Sequence, residues 1–314
     1  WNMCELAAQQ LKITPEEVIV ASTGVIGQTL PIEPIAAHME ELVSGMSPQH
    51  HDKAAAAIMT TDTVKKEVAV SFSLNGKTCR LGGMAKGSGM IHPNMATTLN
   101  FVTTDAAISP QMLQKALNDT VKVTYNCLSV DGDTSTNDMV CILANGLAGN
   151  EEVTAEGPDY EVFLKALYLV LLHLTKMLAK DGEGATKLIE CTCAGAPDLD
   201  TAITAAKSVV SSSLVKSAMF GADANCGRIL CALGYAGVAL DVSRIDVSLA
   251  SDQGSVQVCG GGNGLAFSEE DAARVLSADE IQILVDLNQG SAEAKAWGCD
   301  LTYDYVKINA DYRS

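Results

Sequence analysis

Alternating strand-like and helix-like segments along the 314 residues predict a protein of the α/β class. Residues 68–74, V-A-V-S-F-S-L, alternate apolar with small or polar side chains, which predicts a strand. Residues 281–287 show the same alternation, and residues 160–180 form the longest predicted helix. With 47% hydrophobic residues, the chain is long enough to bury a large core in one or two domains.

The composition limits the kinds of partner. Only 4% of the residues are aromatic, so the core must consist mainly of Ala, Val, Leu, Ile and Met. The formal net charge is −17, which argues against a nucleic acid or an anionic membrane as a partner, because both require a basic surface. A small basic pocket is still compatible with this charge.

Neither the cysteines nor the histidines show metal-ligand spacing. The ten cysteines are scattered, and the pair Cys191 and Cys193 is too close for a C-x-x-C motif, so buried reduced thiols are expected. The five histidines are also dispersed, and no metal site is predicted.

No targeting or membrane-spanning segment is evident from the sequence. A signal-peptide pattern is absent, and the longest apolar run, Ala166–Leu172, ends at His173 and is too short to cross a bilayer. We therefore expect a cytoplasmic protein, or one of the mitochondrial matrix in a eukaryote, without a membrane partner.

Caps, turns and apolar runs predict the other elements. Asn75-Gly76 favours a two-residue hairpin between strands at 68–74 and 77–81. Ser277-x-x-Glu280 has the form of a capping box, and the polar tail after Trp297 would ordinarily fray. Further helices are predicted at residues 1–11, 35–42, 109–120, 202–215 and 269–276, and further strands at 18–21, 99–102, 139–144, 188–193 and within 238–259.

A loop rich in hydroxyls and glycine, S-T-G-V-I-G at residues 22–27, follows the first predicted strand. The backbone N–H groups of such a loop can converge on an oxyanion. The same composition also suits an ordinary tight turn, and the residues alone leave both interpretations open.

Residues 86–105 carry the most informative motif, K-G-S-G-M-I-H-P-N-M-A-T-T-L-N-F-V-T-T-D. Gly87 and Gly89 permit positive φ and Pro93 disfavours a helix, so a loop is predicted before the strand at 99–102. A loop that presents a hydroxyl at the start of a buried strand suits an activated nucleophile, and it equally suits an ordinary turn.

Two further motifs are weak. The K-G-S-G sequence is rich in glycine, but a phosphate-binding P-loop requires G-x-x-x-x-G-K-[ST], and here the glycine follows the lysine. The carboxylates of residues 131–138 suggest a calcium loop at first sight, but the closing glutamate of an EF-hand is missing. Nucleotide and calcium binding are therefore disfavoured, and no cofactor is expected.

Several blocks together resemble the ArgJ family of glutamate N-acetyltransferases, also called ornithine acetyltransferases. The family signature, K-G-S-G-M followed by P-N-M-A-T, is present at residues 86–97. The blocks T-T-D-T at 60–63, V-D-G-D-T-S-T-N-D at 130–138 and G-E-G-A at 182–185 match, as does the end W-G-C-D-L-T-Y-D-Y-V-K-I-N-A-D-Y-R-S. The resemblance covers nearly the whole chain, and it implies that family members carry a further N-terminal stretch before the position of Trp1.

The resemblance implies that the chain cleaves itself between Ala96 and Thr97. Residues 1–96 would then be the C-terminal part of an α chain, and residues 97–314 would be a β chain. Thr97 would be the catalytic nucleophile, with its freed α-amine as the base. Thr23 and Gly24 would form the oxyanion hole.

The implied reaction is transfer of an acetyl group from N2-acetyl-L-ornithine to L-glutamate in arginine biosynthesis, by a ping-pong mechanism through an acetyl-threonine. Acetyl-CoA is left open as a further acetyl donor. The implied substrate-binding residues are Thr60, Lys86, Thr97, Glu183, Asn309 and Ser314.

For the fold, the resemblance implies stacked sheets flanked by helices, like the N-terminal-nucleophile proteins, and an assembly of two α and two β chains. Three residues depart from the family pattern: Cys226 replaces the usual Trp, Lys295 replaces an expected Thr, and Ser314 replaces the usual Thr. The alternative is a self-cleaving aminopeptidase or amidase of the related fold, although the substrate-binding blocks at both ends match the transferase.

Overall fold

The computed structural model describes residues 1–92 and 98–311, and its mixture of helices and strands confirms the α/β class. The helices are α1 (Asn2–Leu11), α2 (Glu33–Ser44), α3 (His51–Ala57), α4 (Pro110–Lys122), α5 (Pro158–Lys180), α6 (Leu199–Ser211), α7 (Ser213–Phe220), α8 (Cys226–Gly234), α9 (Glu269–Leu276) and α10 (Tyr303–Asp311). The strands are β1 (Lys66–Leu74), β2 (Lys77–Lys86), β3 (Leu99–Thr104), β4 (Leu128–Ser129), β5 (Met139–Ala144), β6 (Leu188–Ala196), β7 (Asp246–Ser251), β8 (Gly254–Gly260), β9 (Asn263–Gly264), β10 (Glu280–Asp286) and β11 (Ala292–Cys299).

The first sheet has four strands in the order β1-β2-β3-β5. β1, β2 and β3 are antiparallel neighbours, whereas β5 runs parallel to β3. The predicted hairpin is confirmed: Asn75 has a φ of 48° and Gly76 a φ of 73°, as a twisted two-residue turn requires. β2 continues beyond the predicted Leu81 to Lys86, which places that lysine at a strand end.

The second sheet has seven strands in the order β4-β11-β6-β10-β7-β8-β9. β6 pairs in parallel with β10 and antiparallel with β11. Trp297, where the predicted polar tail begins, is only 1% exposed and lies within β11. The beginning of this tail is therefore part of the core.

Helix α5 lies between the two sheets. Its Leu174 side chain lies against Gly83 of β2, and its Lys176 forms an ion pair of 2.7 Å with Glu190 of β6. α6 covers the opposite face of the second sheet, where its Val210 lies against Gly298 of β11. By length and composition alone α5 could cross a membrane, a feature that the sequence prediction did not recognise, but its buried face belongs to this core.

Two predicted elements are wrong. Residues 18–21 pair with no strand of the described residues, and Ile19 is 58% exposed. A short apolar run becomes a strand only where a neighbouring strand supplies hydrogen-bond partners. The helix predicted at 202–215 is interrupted at Ser212, which has extended backbone and whose hydroxyl accepts the Val215 N–H to begin α7.

The predicted features near the C-terminus also change. Ser277 begins no helix: its hydroxyl donates to the Arg274 carbonyl at 2.7 Å at the end of α9, and Glu280 begins β10. Residues 238–245 form no strand. Residues 303–311 of the tail form α10 instead of fraying, and the hydroxyl of Thr302, directly before this helix, donates to the Gly184 carbonyl at 2.6 Å.

Candidate active site

A cavity of about 220 Å³ opens where β2 ends and where β3 and β5 begin. Lys86 is the last residue of β2, Leu99 is the first of β3, and Asp138 directly precedes β5. Adjacent strand ends therefore bring distant parts of the sequence to one place. All the predicted site residues within the described ranges line this cavity, namely Thr23, Gly24, Thr60, Lys86, Glu183 and Asn309.

Three predicted site residues lie outside the described residues. They are Ala96 and Thr97, which flank the predicted cleavage point, and Ser314. Thr98, the next residue in the sequence, is 5% exposed and lines the cavity. The roles predicted for these three residues, like the division of the chain at Thr97, stay predictions.

Glu183 is 7% exposed, and a neutral group donates to each of its carboxylate oxygens. Thr61 Oγ1 donates to Oε1 and Asn309 Nδ2 donates to Oε2, both at 2.7 Å. The Glu183 N–H donates to the Ser88 carbonyl at 2.8 Å, and the Ser88 and Thr61 hydroxyls are 2.7 Å apart. The T-T-D-T block, the glycine-rich loop and α10 therefore meet at one carboxylate that has no ion-pair partner among the described residues.

Two glycines of the K-G-S-G sequence are required by close contacts. Gly87 has a φ of 142°, and a Cβ atom there would lie 2.7 Å from Thr98 Cγ2. A Cβ atom at Gly89 would lie 2.3 Å from the carboxyl carbon of Glu183. These glycines thus let the backbone pack against the cavity carboxylate.

Lys86 is the cation among the described residues that line the cavity. Burial lowers the pKa of its ammonium group below the usual value, and the positive charge of Lys66 acts in the same direction. The carboxylates of Asp62, Asp138 and Glu183 oppose this shift, but within the described residues none of them forms an ion pair with Lys86 at 4 Å or less. The Lys86 ammonium can therefore bind an anionic group in the cavity.

A buried ion cluster (Lys66, Asp62 and Asp181) lies behind the cavity. The Lys66 Nζ is 2.7 Å from Asp62 Oδ1 and 2.5 Å from Asp181 Oδ2, and the Lys66 side chain is 0% exposed. Asp62 also accepts the N–H groups of Thr60 at 3.1 Å and Gly87 at 2.7 Å. Burial would raise the pKa of Asp62, but the hydrogen bond from Lys66, together with those from Gly87 and Thr60, outweighs burial and lowers it. The cluster fixes the backbone of two cavity-lining blocks.

The carboxylate-rich block at 130–138 organises the loop beside the cavity. Asp131 accepts the N–H groups of Met90 at 2.6 Å and Ile91 at 2.9 Å. Asp131 also accepts the N–H of Asp133 at 3.2 Å. Among the described residues, no group of three or more His, Cys, Asp or Glu side chains could hold a metal ion.

The loop that holds the predicted oxyanion residues is connected to the same block. The Asn137 side-chain amide donates to the Ser22 carbonyl, directly before Thr23 and Gly24. Residues 22–24 have no helix or strand structure, and this hydrogen bond is one link between them and the carboxylate-rich block. Thr23 and Gly24 line the same cavity as Lys86.

Sequence reasoning missed several residues of the site. Thr61 lies in the T-T-D-T block, and its position beside Thr60 could have suggested a role. Asp138 lines the cavity, and burial raises its pKa to about 7, against a hydrogen bond from Ser135 and the charge of Lys86. Nothing in the sequence distinguishes Asp138 from the other carboxylates of its block.

The two departures from the family pattern within the described residues lie outside the cavity lining. Lys295 on β11 forms an ion pair of 2.8 Å with Glu190 on the neighbouring β6. Cys226 begins α8 and lies close to Gly264 of β9. Both residues thus contribute to packing rather than to the cavity surface.

The fold and the cavity together define a class of protein: an α/β protein with a small polar pocket, in which the described residues offer one cation, two carboxyl groups and several hydroxyls. Such a pocket complements a small molecule that carries both charges, as amino acids do.

Comparison with known proteins gives the family. The model of the ArgJ family matches residues 1–314. The arginine biosynthesis bifunctional protein ArgJ 1 of Clostridium acetobutylicum is 54% identical over 312 residues, which are 99% of this chain and 76% of that protein. The arginine biosynthesis bifunctional protein ArgJ of Symbiobacterium thermophilum is 52% identical over 313 residues, covering 100% of this chain and 77% of that protein.

A solved structure supports the same family. The crystal structure of the arginine biosynthesis bifunctional protein ArgJ from Bacillus halodurans matches with a TM-score of 0.64 and 50% identity, covering 68% of this chain and 98% of that chain. The present chain therefore belongs to the ArgJ family, and the resemblance inferred from its sequence is confirmed.

Proposed function

We propose that this protein, an ArgJ-family enzyme of arginine biosynthesis, transfers the acetyl group of N2-acetyl-L-ornithine to L-glutamate. One observation carries the proposal: six residues that the family resemblance singled out, from positions as distant as Thr23 and Asn309, line one cavity. The relatives that match over the whole chain are named as arginine biosynthesis proteins. A cytoplasmic location is part of the proposal.

The first step proposed is cleavage between Ala96 and Thr97. The Thr97 hydroxyl attacks the Ala96 carbonyl, the peptide C–N bond breaks, and water opens the resulting ester to leave Thr97 with a free α-amine.

The second step proposed is acetyl transfer to Thr97. The free α-amine, with a pKa of roughly 7.7–8.0 in model compounds, takes the proton of the Thr97 hydroxyl as its oxygen attacks the acetyl carbonyl. The bond to the ornithine nitrogen breaks, that nitrogen receives the proton, and acetyl-Thr97 forms. The glutamate amine then attacks this ester and restores the hydroxyl. Thr23 and Gly24 stabilise the oxyanion in both halves, and losing one such donor costs roughly 100- to 1,000-fold in rate.

The charges of the cavity support pairings with the substrates. Lys86 binds the α-carboxylate that both substrates share, and Glu183 attracts the ornithine ammonium. Thr60, Asn309 and Ser314 supply neutral hydrogen bonds. One pocket can then accept a cationic and an anionic side chain in turn.

Cleavage is tested by denaturing electrophoresis of the purified protein. We expect two fragments from the wild-type chain, with Thr97 as the N-terminal residue of the larger one, and one intact band from Thr97→Ala. A fully intact and active wild-type chain contradicts the proposal.

The transfer is tested by mass spectrometry and initial rates. After incubation with acetylornithine alone, one acetyl group should be found on the fragment that begins at Thr97, and the kinetics with glutamate should be ping-pong. Ternary-complex kinetics, or an acetyl group elsewhere, contradicts the mechanism. Hydrolysis of amino-acid amides without acetyl transfer would instead identify an aminopeptidase.

Two finer parts of the proposal have separate tests. Formation of acetylglutamate from acetyl-CoA and glutamate would add acetyl-CoA as a second donor. Native mass spectrometry should find two copies of each fragment in the active assembly, and a single copy of each would contradict that assembly.

A further inference from the structure

The Asp138 carboxyl group is the charged part of the cavity that the proposed function leaves without a role. Its Oδ2 is shielded from solvent and has no hydrogen-bond partner in the described structure. Asp131 in the same block, by contrast, accepts two N–H groups from the glycine-rich loop. Buried polar atoms are nearly always paired, so an unpaired carboxyl oxygen beside a cavity indicates a group that binds there.

The sheet fixes where this carboxyl group lies. β3 and β5 run parallel with Leu99 opposite Met139, and the Met139 N–H donates to the Thr98 carbonyl at 2.8 Å. Asp138 therefore lies beside Thr98 at the start of the paired strands. Lys86 lies on the other side of β3, opposite Leu99.

The charges around Asp138 suit a cation. Lys86 on β2 and the Ser135 hydroxyl in its own loop favour ionised Asp138, although burial outweighs both and raises its pKa to about 7. Lys86 also faces the carboxylates of Asp62 and Glu183. No ion pair of 4 Å or less joins Lys86 to Asp138 in the described residues, so Asp138 is left able to accept another cation.

We propose that the Asp138 carboxylate binds a protonated amine in this cavity. Two amines of the reaction have this chemistry: the side-chain ammonium of acetylornithine, which Asp138 would then share with Glu183, and the α-amine that cleavage frees on Thr97. A hydrogen bond to a charged partner is worth roughly 10- to 100-fold in binding or rate. The inference rests on the proposed function, and the experiment separates the two amines.

The first measurement compares two acetyl donors in Asp138→Asn. N-acetyl-L-norvaline has the shape of acetylornithine without the terminal amine. If Asp138 binds the substrate ammonium, kcat/KM for acetylornithine falls about 10- to 100-fold and that for acetylnorvaline is unchanged. Where acetylnorvaline turns over too slowly, its inhibition constant against acetylornithine replaces its KM. Asp133→Asn, which removes an exposed carboxylate of the same block outside the cavity lining, is the matched control.

The second measurement is the pH profile of kcat/KM with acetylnorvaline. A carboxylate beside the Thr97 α-amine stabilises its ammonium form and raises its pKa. If Asp138 binds that amine, Asp138→Asn lowers the amine pKa, and the acidic limb of the profile moves to lower pH by about one unit or more. Asp138→Glu, which keeps the carboxylate, should restore whichever property Asp138→Asn loses.

The wild-type protein provides a measurement that requires no variant. The ratio of kcat/KM for acetylornithine to that for acetylnorvaline should rise as the pH increases through about 7, because only ionised Asp138 attracts the ammonium. Titration of the Thr97 amine affects both donors alike and cancels in the ratio. If Asp138→Asn remains uncleaved, the wild-type measurements are sufficient. A rise in the ratio supports binding of the substrate ammonium, and an acidic limb clearly above the roughly 7.7–8.0 of a free α-amine supports binding of the Thr97 amine; a flat ratio without such a limb overturns the proposal.

With the variants, two results overturn the inference without contradicting the proposed function. One is an Asp138→Asn enzyme that matches Asp133→Asn in both measurements. The other is an equal loss with both donors and an unmoved acidic limb, which would mean that Asp138 acts through Lys86. Absence of acetyl transfer by the wild-type enzyme would instead contradict the proposed function.

Discussion

Two groups of the same residue types, a lysine with two carboxyl groups, contact the glycine-rich loop. The paired group is the buried ion cluster, and the open group consists of Lys86, Asp138 and Glu183 in the cavity. In the buried ion cluster, the Lys66 ammonium pairs with both of its carboxylates at 2.5–2.7 Å. In the cavity, the Lys86 ammonium has no such pair with Asp138 or Glu183 among the described residues. The difference teaches that residue type alone does not identify a binding group. A charge that is already paired holds the backbone, whereas an unpaired charge in a cavity is available to a ligand.

The directions of the pKa shifts also differ between the paired group and the open group. Hydrogen bonds outweigh the burial of Asp62 and lower its pKa, as expected of a carboxylate that is ionised and paired. Burial prevails at Asp138, whose pKa rises to about 7, and at Lys86, whose pKa falls. The open group therefore contains carboxyl and amino groups whose charges depend on what binds beside them.

The largest effect is expected for Lys66→Met, measured as the free energy of unfolding. Removing the shared cation leaves Asp62 and Asp181 buried without it, which destabilises a protein by about 3–5 kcal/mol. Denaturant titration in the Thr97→Ala background keeps the chain continuous and the unfolding unimolecular. A loss below about 1 kcal/mol would show that the cluster does not support the fold.

Lys86→Met is the matched variant in the open group. It is expected to lose activity and to keep its stability, the opposite of Lys66→Met. Its stability should be unchanged or slightly higher, because burial already disfavours the charged amine. Its kcat/KM should fall about 10- to 100-fold with acetylornithine and with glutamate, since both present the same α-carboxylate. Stability and activity lost together would place Lys86 with the paired group.

The smallest effect is expected for Glu183→Gln, and it should be selective. The amide keeps the shape of the carboxylate but loses the charge proposed to attract the ornithine ammonium. We expect kcat/KM to fall about 10-fold for acetylornithine and far less for glutamate. Glu280→Gln, in an exposed pair with Lys180, controls for the loss of one negative charge. Equal losses for both substrates would show that the charge assignment is wrong.

Local chemistry explains which elements the sequence predicted. The Asn75-Gly76 hairpin depends on two adjacent residues that tolerate positive φ, so the sequence is sufficient. The strand predicted at residues 18–21 is wrong because a strand also requires a neighbouring strand as its partner, and the sequence of the run does not show whether one is present. The helix at 202–215 failed at Ser212 because a hydroxyl residue can begin a helix as readily as it can lie within one.

The residues of the site also divide into those that the sequence could predict and those that it could not. Family resemblance identified Lys86 and Glu183, but nothing in the sequence indicated that Lys66 pairs with Asp181, because these residues are 115 positions apart. Asp131 and Asp138 belong to the same carboxylate-rich block. Only the three-dimensional arrangement shows that each oxygen of Asp131 accepts a backbone N–H, whereas Oδ2 of Asp138 has no partner among the described residues.

The pairing of β2 with β3 has a consequence for folding. Their register runs from Lys86 opposite Leu99 to Leu81 opposite Thr104, so one sheet contains strands from both sides of the predicted cleavage point. Cleavage would therefore divide the polypeptide without dividing the folding unit. Before it, folding is a unimolecular event; afterwards, each fragment needs the other to complete a sheet and a core. Refolding of the mature protein then becomes second order, and the apparent stability of the cleaved protein rises with its concentration.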